Sequence, residues 1–250
     1  MLRRYLIVSA CLLLVACSWW PWGSDEPAAP PAPKTIGVIS VLSSRIAVID
    51  TANSGWSRRT AFYPLADWPI DDLATTQATA WLQQKGFDVR PVTIQPGAFS
   101  AQALGGPVTR GDWFDRQRPS FTDIIHRSAQ PGDLDYYLIL VEGSGSTSVP
   151  DLHGIGFVHF SSRPQAFIAY HVFLIDGKSG ETLDDVHADA DNQWGSADPA
   201  VDAPYTDLPK AIWPRQITAW SPEQQAAFRD GIDAELTSSL KATLRRLDLP

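Results

Sequence analysis

The stretch Tyr136-Tyr137-Leu138-Ile139-Leu140-Val141 decides how the rest of the chain is read. A continuous apolar run of this length reads as a strand, and its lack of polar alternation marks a strand buried on both faces. Such a strand needs layers above and below it, so helices must cover a sheet. Before it, residues 121–129 form a short helix that stops at Pro131-Gly132. Residues 67–85 form a longer helix: Ile70, Leu73, Ala74, Ala78 and Trp81 fall on one face, acids crowd the first turn, and Gly86 closes the C-terminus. Residues 87–94 return as a strand. Residues 36–42 and 45–50 are rich in Ile and Val with Ser43-Ser44 between them, the pattern of a hairpin. Asn53-Ser54-Gly55 marks a turn before a further short strand at residues 56–63.

After the central run, Gly143-Ser144-Gly145-Ser146 opens a flexible loop. Residues 155–160 and 166–176 read as strands, and Asp176-Gly177-Lys178-Ser179-Gly180 turns the chain into a third at 181–187, making an antiparallel meander. Residues 95–120 and 188–215 carry no sustained period and read as long loops. The last helix is the clearest element: Ser221, Pro222 and Gln224 supply a capping box, and Phe228, Ile232, Leu236, Leu240, Leu244 and Leu247 make one apolar stripe. At 1.5 Å per residue it is about 39 Å long and must lie across a sheet. The expected fold is α/β, with α+β as the alternative: a single mixed sheet carrying an antiparallel meander, with the long C-terminal helix packed on it.

The N-terminus has a different character. Arg3 and Arg4 precede an apolar run at residues 6–15 that is too short to cross a bilayer and reads as a secretion signal. Leu14-Val15-Ala16-Cys17 resembles the lipobox of bacterial lipoproteins, which implies cleavage before Cys17 and acylation of its sulfur. Residues 1–16 are then the signal peptide, residues 17–35 the lipidated cysteine and a Pro-rich tether, and residues 36–250 a single globular domain. Pro21, Pro27, Pro30, Pro31 and Pro33 favour polyproline II, so the tether can reach on the order of 50 Å. Trp19, Trp20 and Trp22 sit beside the acylated residue, where indoles suit the headgroup zone or pack on the domain. Ser18 follows the cysteine, where lipoproteins retained at the inner membrane of enteric bacteria often carry Asp; this points to the outer membrane, facing the periplasm.

Removing the signal leaves 234 residues with 28 acids against 18 bases, a formal charge of −10. That surface repels phosphates and anionic headgroups, so nucleic acid is excluded as a partner and the membrane is reached through lipid. Cys11 leaves with the signal and Cys17 takes the lipid, so the exported domain has no disulfide, cysteine nucleophile or cysteine-ligated metal.

The helix running into Gly86-Phe87-Asp88-Val89, the run Tyr137-Leu138-Ile139-Leu140-Val141 and the hairpin from Leu174 to Leu183 are similar to bacterial envelope lipoproteins related to CsgG and to the N-terminal domain of TolB. The resemblance covers most of residues 36–248 and implies a fold and an envelope role, with no catalytic residues. The loops at 95–120 and 188–215 depart from that compact pattern and from a CsgG-like pore assembly.

Asp184, Asp185, His187, Asp189 and Asp191 form the densest group of ligand-type residues, and neighbouring strands can bring His153 or His159 to them. The metal candidates are His153, Asp184, His187 and Asp189; the competing reading is a charged edge that resists strand pairing. Gly143-Ser144-Gly145-Ser146 lacks the lysine of a phosphate loop and the spacing of a nucleophile elbow, and reads as a turn. His126 and His171 read as core or interface histidines, and a Ser146, His171 and Asp176 triad is one of many combinations spacing allows. Trp113, Trp194 and Trp213 lie in the long loops and are candidates for contacting a partner. The expected function is non-enzymatic, without a cofactor: binding an envelope protein or self-associating in an assembly. The alternative is a metal-dependent or serine hydrolase acting on an envelope substrate.

Overall fold

The computed structural model describes residues 32–42, 45–51, 58–64, 68–95, 97–99, 121–145, 152–160, 163–188, 203–209 and 221–250. In chain order its elements are β1 (Thr35–Val41), β2 (Arg45–Thr51), β3 (Arg58–Pro64), α1 (Ile70–Gln84), β4 (Asp88–Arg90) and β5 (Thr93–Ile94). There follow α2 (Thr122–Ser128), β6 (Ala129–Gln130), β7 (Tyr136–Glu142), β8 (Ser144–Gly145), β9 (Leu152–His153) and β10 (Ile155–Phe160). The last are β11 (Arg163–Ile168), β12 (Tyr170–Asp176), β13 (Thr182–His187), β14 (Tyr205–Asp207) and α3 (Pro222–Leu244).

The single mixed sheet is corrected to two five-stranded sheets, in the orders β13-β12-β7-β1-β4 and β14-β11-β10-β2-β3, with two small ladders, β5–β6 and β8–β9. Mixed α and β character is kept. The expected hairpin of residues 36–50 is absent: β1 pairs in parallel with β4 and β7, while β2 pairs with β3 and β10 in the other sheet. The expected strand at 166–176 is two strands separated at Ala169, β11 in one sheet and β12 in the other. The meander is divided likewise, β10–β11 and β12–β13 being antiparallel pairs of different sheets.

The physical reason lies in the strand orders. β12, β7 and β1 are neighbours in the first sheet, and β11, β10 and β2, their continuations along the chain, are neighbours in the second in the same order. Three adjacent strand lines therefore pass together from sheet to sheet. Residues 164–175 are buried on both sides of Ala169, so hydrophobicity continues through the β11–β12 passage and no change of period betrays it, while Ser43-Ser44 and the Gly-Ser stretch after β7 read as ordinary turns.

One core joins the sheets. Helix α1 contributes Ile70, Ala74, Ala78 and Leu82, and α3 contributes Phe228, Ile232, Leu236, Leu240 and Leu244. They pack on Val38, Leu138, Leu140, Val172 and Leu174 of the first sheet and on Val48, Phe157, Ala166 and Ile168 of the second. At about 1.5 Å per residue α3 is about 35 Å long, enough to lie over both sheets. Its start is the expected capping box, Ser221 Oγ accepting from Gln224 N at 3.3 Å and Ser221 N donating to Gln224 Oε1 at 2.9 Å. Gly86 follows α1 with φ +90°, the conformation glycine tolerates best. Helix α1 is held to α3 by Gln77 Nε2 donating to Thr237 Oγ1 (2.7 Å), and Trp68 just before it donates from Nε1 to Asp233 Oδ1 (3.1 Å). The opposite face of the first sheet has a smaller core: Ile39, Tyr137, Ile139, Val141, Phe173 and Ile175 under Phe99, Phe121 and Ile125.

Candidate functional site

Strands β4, β1 and β7 are parallel, and α1 and α2 lie on opposite faces of their sheet. The winding reverses between β1 and β7, and the C-terminal ends of strands at such a point are where open α/β sheets bind ligands. Beside the end of β7 the chain's own backbone ties neighbouring strand lines together. Gly143 N donates to Ala169 O (3.0 Å), Gly154 N to Gly143 O (2.9 Å) and Ala169 N to Gly154 O (2.7 Å), closing a triangle where the strand lines cross between sheets. Asp71, in the first turn of α1, accepts from Ser40 Oγ (2.7 Å) and Leu42 N (2.9 Å) and ties down the end of β1. The Gly-Ser loop is not an open cradle at its start: Gly143 is buried, and Ser144-Gly145 pair with Leu152-His153 as β8–β9.

Beside this junction runs a row of residues in register: Val41 on β1, Val141 on β7, His171 on β12 and His187 on β13. The next row, towards the core under α2, is Ile39, Ile139, Phe173 and Asp185. His171 and His187 are directly opposed across the strand pair, with ring centres 6.3 Å apart and planes at 47°. His171 stacks along Phe173 at 6.0 Å and 20°, and Phe173 packs on Phe121 at 4.8 Å, so the imidazole rests on an aromatic base. Gly143 makes room for it: a Cβ there would stand 2.6 Å from His171 Cδ2 and 2.9 Å from the Tyr170 carbonyl carbon. His171 is 8% exposed, whereas His187, on the edge strand, is partly exposed.

The pairing depends on a bulge. The Asp176–Gly180 turn is built by Asp176 Oδ1, which accepts from Lys178 N (2.9 Å) and Ser179 N (2.7 Å) and is held ionised below its usual range chiefly by the Ser179 backbone bond. Counting back from the turn, Ile175 faces Thr182, but an irregularity between Leu174 and Ile175 advances β13 by one, so Leu174 faces Asp184 and His171 faces His187. Without that extra residue His171 would face Val186.

The expected ligand residues are divided by alternation along β13. Asp185 and His187 share the face with His171, while Asp184 points to the other face, where its Oδ1 accepts from Asp185 N (2.9 Å) and its Oδ2 from Asp248 N (2.8 Å). His153 lies on β9 opposite Ser144. Among the described residues no three His, Cys, Asp or Glu side chains gather as a metal set. His171 and Asp176 stand at opposite ends of β12, about 17 Å apart at about 3.4 Å per residue, too far for one triad. His126 is exposed on α2. Cys17, Trp113, Ser146, Asp189, Asp191, Trp194 and Trp213 lie outside the described residues. Glu142 follows Val141 on β7; burial raises its carboxyl above the ordinary range, against the opposing pull of Arg45.

No family model matches the chain, and no curated protein sequence matches it. Among solved structures it is similar to protein XCC0632 of Xanthomonas campestris, of the DUF330 family, at 10% identity over 86% of this chain and 85% of that one, TM-score 0.38. It is similar to lipoprotein GNA1162 of Neisseria meningitidis at 13% identity, over 83% of this chain and 100% of that one, TM-score 0.28. Hypothetical protein CT253 of Chlamydia trachomatis is similar at 10% identity, over 85% of this chain and 100% of that one, TM-score 0.33. At such scores the function rests on this chain's own residues.

Proposed function

We propose that this chain is a lipid-anchored protein of the bacterial cell envelope, attached to the outer membrane through Cys17 and facing the periplasm, whose folded part works by binding another envelope component. The observation that carries the reading is the order of features before the domain: two arginines, a short apolar run, Leu14-Val15-Ala16-Cys17, and a Pro-rich tether. A single acyl chain gives only marginal attachment, so the anchor works through the several chains that lipoprotein cysteines carry. Trp113, Trp194 and Trp213 are the proposed anchors for the partner, as large amphipathic side chains that bind at little entropic cost.

In-cell cross-linking followed by capture and mass spectrometry tests this reading. The expected result is one envelope protein recovered reproducibly with the anchored chain and lost with Cys17→Ala. Recovery of the same partner at the same yield without the anchor would contradict it, and recovery of the chain alone would favour self-association.

A further inference from the structure

We propose that His171 and His187 form a two-nitrogen site for a divalent metal of the zinc, nickel or copper kind, at the junction side of the sheet face covered by α2. The two side chains stand opposite each other on an antiparallel strand pair, where Cβ atoms are only about 5 Å apart. Neutral imidazole is the preferred ligand of this group of metals, whereas magnesium and calcium demand oxygen.

The distances admit a shared ion. A zinc about 2.1 Å from a ring nitrogen stands about 3.2 Å from that ring's centre, so two rings can hold one ion only when their centres are within about 6.4 Å. The observed separation is 6.3 Å. A tetrahedral angle between the nitrogens brings the centres to about 5.2 Å, so binding requires the rings to swing together by about 1 Å.

The surroundings assign the parts. His171 is the fixed ligand: Phe173 supports its ring face, and its Cδ2 edge lies against Gly143 of β7. His187 is the ligand that moves, being on the edge strand and partly exposed. Asp185, two residues before His187, shares its face and adds negative charge that favours a cation. Water or a ligand atom from a partner completes the coordination that the two imidazoles begin.

The test uses the full chain without a histidine tag, in detergent micelles. Titration with Zn²⁺ alone by calorimetry is expected to show one site per chain, weakened at least tenfold by His187→Gln and by His171→Gln and unchanged by His126→Gln. Cu²⁺ bound to the parent chain is expected to show electron-spin couplings to two imidazole nitrogens. If His171→Gln loses its near-ultraviolet dichroism, His187→Gln and the copper spectrum decide. Absence of Zn²⁺ heat in the parent, affinity within twofold of the parent in His187→Gln, or dependence on His153 and Asp184 instead would overturn the proposal.

Discussion

The two faces of the first sheet carry the same kind of strand residues but are covered differently. One face lies under α1 and α3, where the stripe from Phe228 to Leu244 is sealed and the few polar groups are satisfied. Tyr170 shows this: its hydroxyl lies 3.0 Å from Ser239 Oγ and 3.1 Å from Thr243 Oγ1, and Thr243 Oγ1 donates to Ser239 O at 2.8 Å. Among the described residues the other face carries a seven-residue helix and aromatics such as Phe99 and Phe121, and towards the junction its row ends in two imidazoles.

The largest expected effect comes from the sealed face. Leu236 is fully buried, and Leu236→Ala should cost about 3 kcal/mol in urea unfolding through lost transfer energy and an unfilled cavity. A loss under about 1 kcal/mol would mean that α3 is not essential to the core. Next comes the junction: Gly143→Ala should cost about 2 kcal/mol, because the new Cβ meets Tyr170 backbone, which cannot turn aside as a side chain can. The same substitution should displace the His171 ring, visible as a shift of its NMR signals, whereas Leu236→Ala should leave them in place.

Tyr170→Phe should cost about 1 kcal/mol, because it removes the buried hydrogen bonds of the Tyr170 hydroxyl to Ser239 Oγ and Thr243 Oγ1 while keeping the ring, and those two hydroxyls keep their backbone carbonyl partners. Smallest is Glu235 on α3, whose carboxyl burial pushes up to about 7 from 4.5. An acid with a raised folded value binds its proton more tightly in the folded chain. Its contribution is therefore intact below about pH 4.5 and is lost as pH rises towards 7. Glu235→Gln should leave stability unchanged near pH 4.5 and raise it by about 1 kcal/mol at pH 8, after allowing for water at the partly exposed group. Equal midpoints for both chains at pH 8 would show that the carboxyl is better hydrated than its position implies.

Legibility followed the source of each feature. Local chemistry was readable: Ser221 and Gln224 announce the cap of α3, Gly86 the end of α1, and the polar turn at Asp176–Gly180 the β12–β13 hairpin. The boundary between sheets was not, because residues 166–176 are almost continuously buried and Ala169 interrupts the strand without interrupting the hydrophobic run. The histidine pair was hidden for another reason. A register counted from the turn places Val186 opposite His171, and only the bulge at Leu174 and Ile175 puts His187 there. Alternation alone faces Asp184 away from His187, three residues on, and so separates two of the four expected metal ligands. Alternation within β13 does foretell that Asp185 and His187 share a face.

The most direct test of the central claim is the mass of the N-terminal peptide of the protein taken from cell membranes after labelling with a palmitate analogue. The expected result is a chain that begins at Cys17, carries diacylglycerol on its sulfur and incorporates the label. An unlipidated chain, cut elsewhere or retaining residues 1–16, would contradict it.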